Sequence, residues 1–330
     1  MSTTRPRPAP AAPLVLAALA RLTKTARLLI LGNPVANRRQ PVRVAEEMAM
    51  VDVLSKGRLE CGFVRGVPYE VLPANSNPVR MNERQWEAID LIIKAWTSHD
   101  GPVSHEGQFF HHRNINIWPR PYQQPHPPVW MPVGSPGSAS EAAARGITIG
   151  VLNTGWARTP GIFDAFRKTA AETGHPGTHD KLAYMALIGV GHTRDEGWRR
   201  ADQILDYSRT SAIVAPQFAN PPGYVAPAMA AQVIKTAGAG GARATRLQTR
   251  DGKPINPRTV GVEDAIDAGL VFAGTPDDVW DQLMAFYDHV GGFGHLLMMG
   301  QGGLLSHEET VANLTLFSKE VLPRIRELGE

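Results

Sequence analysis

Arg65 and Gly66 close the run GRLECGFVRG, at Gly57 to Gly66. Leu59, Cys61, Phe63 and Val64 read as a strand, and the chain leaves it at Arg65. In parallel α/β folds, ligands bind outside the carboxyl ends of the strands. An Arg there suits a phosphate, and the Gly after it lets backbone approach a ligand. A surface salt bridge would explain the same Arg. A second element, Val133-Gly134-Ser135-Pro136-Gly137-Ser138, leads from a strand into a helix. Hydroxyls and unpaired N–H groups at a helix start can hold phosphate oxygens. A Ser-rich helix cap accounts for these residues without any ligand. Arg65 and the Ser135–Ser138 turn, from neighbouring units, together favour phosphate.

These residues need strands and helices in alternation to position them, and the chain supplies that pattern. Leu28 to Leu31 is a continuous apolar run, as in a strand buried on both faces. A helix follows Pro41, with Val44, Met48, Val51 and Leu54 on one face, and Gly57 can stop it. Trp86, Ile89, Ile93 and Trp96 mark a second amphipathic helix. Residues 99–127 read as an excursion with a short hairpin. Strands are expected at Val129–Val133, Ile147–Leu152, Leu182–Val190, Leu270–Ala273 and His295–Met299. Helices are expected from Ser138, over Thr159–Thr173, and after the cap Thr275-Pro276-Asp277-Asp278. Leu314, Phe317, Val321 and Ile325 mark a last helix that Pro323 can kink. Residues 208–262, rich in Pro and Gly, read as an inserted lid with a helical piece near Ala228–Thr236. The alternation means a parallel α/β fold, without separating a closed barrel from an open sheet.

In several stretches the chain resembles the luciferase-like flavin-dependent monooxygenases, the bacterial luciferase superfamily. They are PLVLAALARLTKTARLLILGNP (Pro13–Pro34), PVRVAEEMAMVDVLSKGRLECGFVRG (Pro41–Gly66), WPRPYQQPHPPVWMPVGSPGS (Trp118–Ser138), FAGTPDDVWDQL (Phe272–Leu283) and HEETVANLTLFSKEVLP (His307–Pro323). The resemblance implies a (β/α)8 TIM barrel over residues 13–330 with the insertion at 208–262. It implies FMN as cofactor, its phosphate held by Arg65, Ser135 and Ser138 with Gly66 and Gly134 contributing backbone. It also places Asn33 near the isoalloxazine ring, where its amide could bond a polar edge. A turn before Pro34 is the competing explanation of Asn33. The implied reaction takes reduced FMN from a separate flavin reductase, uses O2 and oxidises a small organic substrate. Protection from water is then the protein's main task. Hydride transfer with coenzyme F420 is the alternative, and a degenerate, non-catalytic flavin-binding or partner subunit is the third reading. The family places a strand, a helix and a strand before the segment matching Pro13, and here only MSTTRPRPAPAA precedes it. The barrel is therefore expected to be incomplete at its start, with residues 1–12 disordered and the catalytic residues unassigned.

Composition narrows the partners. Hydrophobic residues make up 43% of the 330, enough to fill a core. No apolar run reaches the roughly 18 residues of a membrane span. Cys61 is the one cysteine, which excludes an internal disulfide and fits a reducing, cytoplasmic setting. Its place in a strand suggests a buried, inert thiol. Residues 1–45 carry eight basic and no acidic side chains. No aromatic-basic stripe accompanies them, so nucleic-acid binding is not expected. Arg5 and Arg7 before Ala11–Ala20 imitate a secretory signal, but an ordinary helix starting at Pro13 explains the run better. His105, His111, His112 and His126 lack a metal-ligand pattern. Gly238-Ala-Gly-Gly follows a helical run rather than a strand and is no dinucleotide motif. Gly300-Gln-Gly-Gly follows a strand and stays open as a minor phosphate loop. A homodimer is expected.

Overall fold

The computed structural model describes residues 12–210, 218, 221–225 and 247–328. They divide into two units, residues 12–132 with 218 and 221–225, and residues 133–210 with 247–328.

The first unit opens with α1 (Ala12–Leu22), which buries only Leu16 and Ala20. Strand β1 (Leu28–Pro34) follows and runs into a 3-10 turn at Val35–Asn37. Helix α2 (Pro41–Ser55) begins on its proline and buries Val44, Met48 and Val51 of the expected face, whereas Leu54, expected on the same face, is exposed in the last turn. It ends at Ser55, two residues before Gly57, because Lys56 itself takes the left-handed conformation at φ 56°. Strand β2 (Leu59–Val64) pairs parallel with β1 from Leu28↔Leu59 to Pro34↔Val64. Gly62 permits this approach: a Cβ there would lie 2.1 Å from the Ile30 carbonyl oxygen. A short helix α3 (Pro68–Val71) leads to α4 (Met81–Thr97), which buries Trp86, Ile89 and Trp96. The expected hairpin is β3 (Val103–Glu106) against β4 (His111–Ile115). Its turn is organised by Glu87 of α4, whose carboxylate accepts the backbone N–H groups of Gln108, Phe109 and Phe110. Strand β5 (Val129–Val133) then pairs parallel with β2 at Cys61↔Val129 and Gly62↔Trp130. Cys61 is fully buried, and burial pushes its thiol pKa well up, as an inert core thiol requires.

One side chain ties the start of this unit together. Arg58 donates from Nη2 to the Ala20 and Thr23 carbonyls, and from Nη1 to the Ala26 carbonyl and the Thr23 hydroxyl. Its Nε reaches the Ser55 carbonyl at 2.8 Å. The Ala20 carbonyl in the last turn of α1, and those of Thr23 and Ala26 just after it, are thus satisfied from the entry to β2.

In the second unit, α5 (Pro136–Ala143), β6 (Thr148–Leu152), α6 (Thr159–Thr173) and β7 (Leu182–Val190) alternate as expected. Helix α7 (Arg194–Thr210) precedes α8 (Val262–Asp267), β8 (Val271–Gly274), α9 (Pro276–His289) and β9 (His295–Met299). Strand β7 pairs parallel with β6 through Leu182–Met185, with β9 through Ala183–Leu187 and with β8 through Leu187–Val190. The last helical run is two helices, α10 (His307–Glu320) and α11 (Leu322–Glu327), broken at Val321. Pro323 sits in the first turn of α11, where its missing N–H costs nothing, so the chain restarts there instead of kinking.

Part of the expected insertion belongs to this unit's frame. Residues up to Thr210 are in α7, and Ile255 and Val260 join Leu187, Leu205 and Val271 in a buried cluster. The helical piece expected near Ala228–Thr236, the glycines from Gly238 and the basic residues 1–11 lie outside the described residues. All pairings of the main strands named above are parallel and most are followed by helices, which is the α/β class the alternation implied.

Candidate functional site

Arg65 leaves the carboxyl end of β2, and among the described residues it forms no ion pair. The guanidinium carbon stands 4.2 Å above the ring centroid of Tyr224. Nε donates to the Tyr224 hydroxyl at 3.1 Å, and that hydroxyl donates to the Gly66 carbonyl at 2.7 Å. Among the described residues no carboxylate pairs with Arg65, and its terminal nitrogens have no hydrogen-bond partner. Gly66 has φ +97°, and a Cβ there would meet the Asn37 amide nitrogen at 2.5 Å. This glycine is required for both its conformation and its contact.

Asn33 lies at the end of β1 and is only 3% exposed. Its Nδ2 finds no partner among the described residues, and neither Nδ2 nor Oδ1 of Asn37 does. Buried amides left so are costly, and each is a feature a ligand can answer. The Asn37 turn is held from behind by Arg84, whose Nε donates to the Ala36 carbonyl at 2.9 Å while its guanidinium stacks 4.5 Å from the Phe110 ring.

In the second unit Ser135 is the N-cap of α5. The helix starts at Pro136, two residues before the expected Ser138, because a Ser cap with Pro behind it is a complete start signal. Ser135 Oγ accepts the Ser138 N–H at 3.3 Å, and Ser138 Oγ accepts the Ser135 N–H at 3.3 Å. The two hydroxyls are 3.0 Å apart and exposed. A Cβ at Gly134 or at Gly137 would meet nothing within 4 Å. Arg158 donates from Nη2 to the Gly134 carbonyl at 2.6 Å and brings positive charge to this helix start. Ser135 and Ser138 thus cap α5, which is the explanation that needs no ligand, and their hydroxyls are exposed.

Other candidates fall away. Gly303 is packed so closely that a Cβ would be 1.8 Å from the Gln203 carbonyl oxygen, and the Gly300 carbonyl accepts from Asn313 at 2.9 Å. That loop is tucked against α7 and α10 and leaves no cradle. His105 hydrogen-bonds Glu87 at 3.2 Å. Burial opposes ionisation of Glu87, but bonds from Phe110, Phe109, His105 and Gln108 outweigh it and hold its carboxyl below the ordinary range. Among the described residues no group of His, Cys, Asp and Glu could hold a metal, and no helix is long and apolar enough to cross a membrane.

Tyr224, Asn37 and Arg158 were not legible as site residues. Tyr224 lies far along the chain and carries no motif. Asn37 and Arg158 each follow a strand by a few residues, a weak signal that ordinary turns share.

The luciferase-like monooxygenase family model matches residues 2–292. The chain belongs to that family, and its fold is the α/β barrel type of those enzymes. Over 141 residues it is 34% identical to the oxygenase component of the flavin-dependent trigonelline monooxygenase of Acinetobacter baylyi, covering 42% of this chain and 38% of that protein. The chain spans less than half the length of the first curated relatives it matches. Two solved structures share the fold. The oxygenating constituent of 3,6-diketocamphane monooxygenase from Pseudomonas putida, in complex with FMN, superposes with a TM-score of 0.73 at 19% identity, covering 98% of this chain and 86% of that one. An F420-dependent secondary alcohol dehydrogenase superposes with a TM-score of 0.71 at 15% identity, covering 97% and 86%.

Each unit, taken by itself, carries residues with donor chemistry of the kind FMN needs. A phosphate wants an uncommitted guanidinium and a helix start with open glycines, and an isoalloxazine edge wants an amide without another partner. Arg65, the Gly134–Ser138 turn and Asn33 have these properties.

Proposed function

We propose that the chain is the oxygenase of a two-component flavin-dependent monooxygenase acting on a small organic substrate. The observation that carries this is Arg65, backed by an aromatic ring, without a carboxylate partner among the described residues and with its terminal nitrogens uncommitted. Arg65 supplies charge to the FMN phosphate, and Ser135 and Ser138 supply hydroxyls. Gly66 and Gly134 let backbone approach, and Asn33 bonds the polar edge of the ring. When bound, reduced FMN from a separate reductase supplies the two electrons of the reaction: one oxygen atom of O2 enters the substrate and the other leaves as water. The protein's residues bind and orient the reactants and exclude water. The relative from Acinetobacter baylyi, an oxygenase component by name, supports the two-component arrangement. A cytoplasmic homodimer belongs to the same proposal.

Titration of the chain with FMN, reduced FMN and F420 tests it. Reduced FMN is expected to bind most tightly and to support O2-dependent turnover when a reductase and NADH are added. Preferential binding of F420 would move the assignment to hydride transfer. Binding of flavin without oxygenation of any substrate, across a broad panel, would leave the non-catalytic reading.

A further inference from the structure

Tyr224 makes more contacts with the end of β2 than a passing loop residue would. Its ring lies under the Arg65 guanidinium at 4.2 Å, and its hydroxyl accepts from Arg65 Nε while donating to the Gly66 carbonyl. It also packs on the buried cluster of Ala36, Val71 and Met81. The turn that carries it is built for this seat. Tyr224 N–H donates to the Pro221 carbonyl at 3.0 Å. Gly223 has φ +86°, and a Cβ there would strike Val79 Cγ2 at 2.5 Å. The tyrosine is therefore fixed by its own turn as well as by Arg65.

We infer that Tyr224 is a positioning residue that sets the Arg65 guanidinium for a phosphate. The inference rests on the assignment of Arg65 to the FMN phosphate. Three physical points support it. The bond is made at Nε and leaves the two terminal nitrogens, the pair that can bind a phosphate in a fork. The ring face holds the guanidinium by cation–π attraction without neutralising it, as a carboxylate would. A long, rotamer-rich side chain ordered before the ligand arrives loses less freedom on binding. The hydroxyl also fixes the Gly66 carbonyl, so side chain and backbone at the strand end are set by one residue.

The test compares FMN with riboflavin, which lacks the phosphate, by measuring both affinities for the wild type, Arg65→Ala, Tyr224→Phe and the double variant. Tyr224→Phe keeps the ring and removes the hydroxyl, so the fold is expected to hold, and its melting temperature is read alongside. Tyr224→Phe is expected to weaken FMN about tenfold, from the loss of a hydrogen bond to a charged group, and to leave riboflavin unchanged. In the Arg65→Ala background, Tyr224→Phe should have no further effect. Equal weakening of FMN and riboflavin, or an undiminished effect without Arg65, would mean a merely structural tyrosine and overturn the inference. If Arg65→Ala lowers the FMN-to-riboflavin preference while Tyr224→Phe does not, the inference alone falls. If Arg65→Ala leaves that preference intact, the phosphate assignment falls and the role of Tyr224 with it.

Discussion

Asn313 Oδ1 accepts the backbone N–H of Val190 at 2.7 Å, joining α10 to the carboxyl end of β7. The same amide donates to the carbonyls of Ile188 and Gly300, both at 2.9 Å, and the residue is fully buried. One side chain thus satisfies three backbone groups that water cannot reach. Asn313→Ala is expected to lower unfolding free energy by about 2–4 kcal/mol, because it strands these groups rather than removing them. Urea denaturation checks this, and a loss under about 0.5 kcal/mol, the level of an ordinary surface change, would contradict it.

Asp278 gives the fold a pH dependence of known sign. Its bond to Arg194 is the largest cause, burial opposes it, and bonds from Thr275 add to it. Together they hold the carboxyl down at about 2. A depressed folded-state pKa contributes stability above the unfolded value of about 3.9, and that stability is lost as pH falls through the folded value. Asp278→Asn should cost on the order of 1–2 kcal/mol near neutrality after screening. The gap between variant and wild type should narrow between pH 4 and pH 2, as those two pKa values require. A gap that stays constant over that range would show that the ion pair is not its source.

Ser135 has a capping task and a proposed binding task, and glycine separates them. Glycine caps a helix nearly as well as serine, within a few tenths of a kcal/mol, whereas alanine costs about 1 kcal/mol. Ser135→Gly should leave the melting temperature almost unchanged and weaken FMN by about fivefold, with riboflavin unaffected. Ser135→Ala should lower both the melting temperature and the affinity. Unchanged FMN affinity in both variants would leave Ser135 as a cap alone.

Gly62 should tolerate no side chain. The atom in the way is the Ile30 carbonyl oxygen, part of the β1 backbone, and it cannot step aside without breaking the β1–β2 ladder. Gly62→Ala is expected to destabilise by about 1–3 kcal/mol or more. It should also loosen flavin, because Asn33 and Arg65 leave the two strands that must separate. Wild-type stability in this variant would show that the strands can slide apart freely.

The sequence made visible what depends on near neighbours. The apolar run at Leu28–Leu31, the face of Val44, Met48 and Val51, and the Thr275 cap all act within one or two turns, so their local patterns suffice. Arg65 was legible because a strand end is also a local feature. Its partner was not: Tyr224 lies 159 residues away, and no local pattern connects the two. Asn313 reads as an ordinary polar helix residue until folding sets it beside Val190, 123 residues earlier. That Asn33 Nδ2 and the Asn37 amide find no partner among the described residues is invisible for the same reason, since the want of a partner is a property of the packed surroundings.

The clamp of Arg58 has a consequence for how the chain opens and closes. Helix α1 buries little, with Leu14 and Leu22 more than 70% exposed, and on burial alone it would fray independently of the sheet. Because Arg58 leads directly into β2 and holds the Ala20 carbonyl of the last turn of α1 and the Thr23 and Ala26 carbonyls after it, releasing the helix end means giving up charge-assisted bonds anchored at the strand entry. The last turn of α1 should therefore open together with β1 and β2, as one cooperative block. In native-state hydrogen exchange, the amide of Thr23, bonded to the Leu19 carbonyl, should share the protection of the Leu28 amide, bonded to the Arg58 carbonyl.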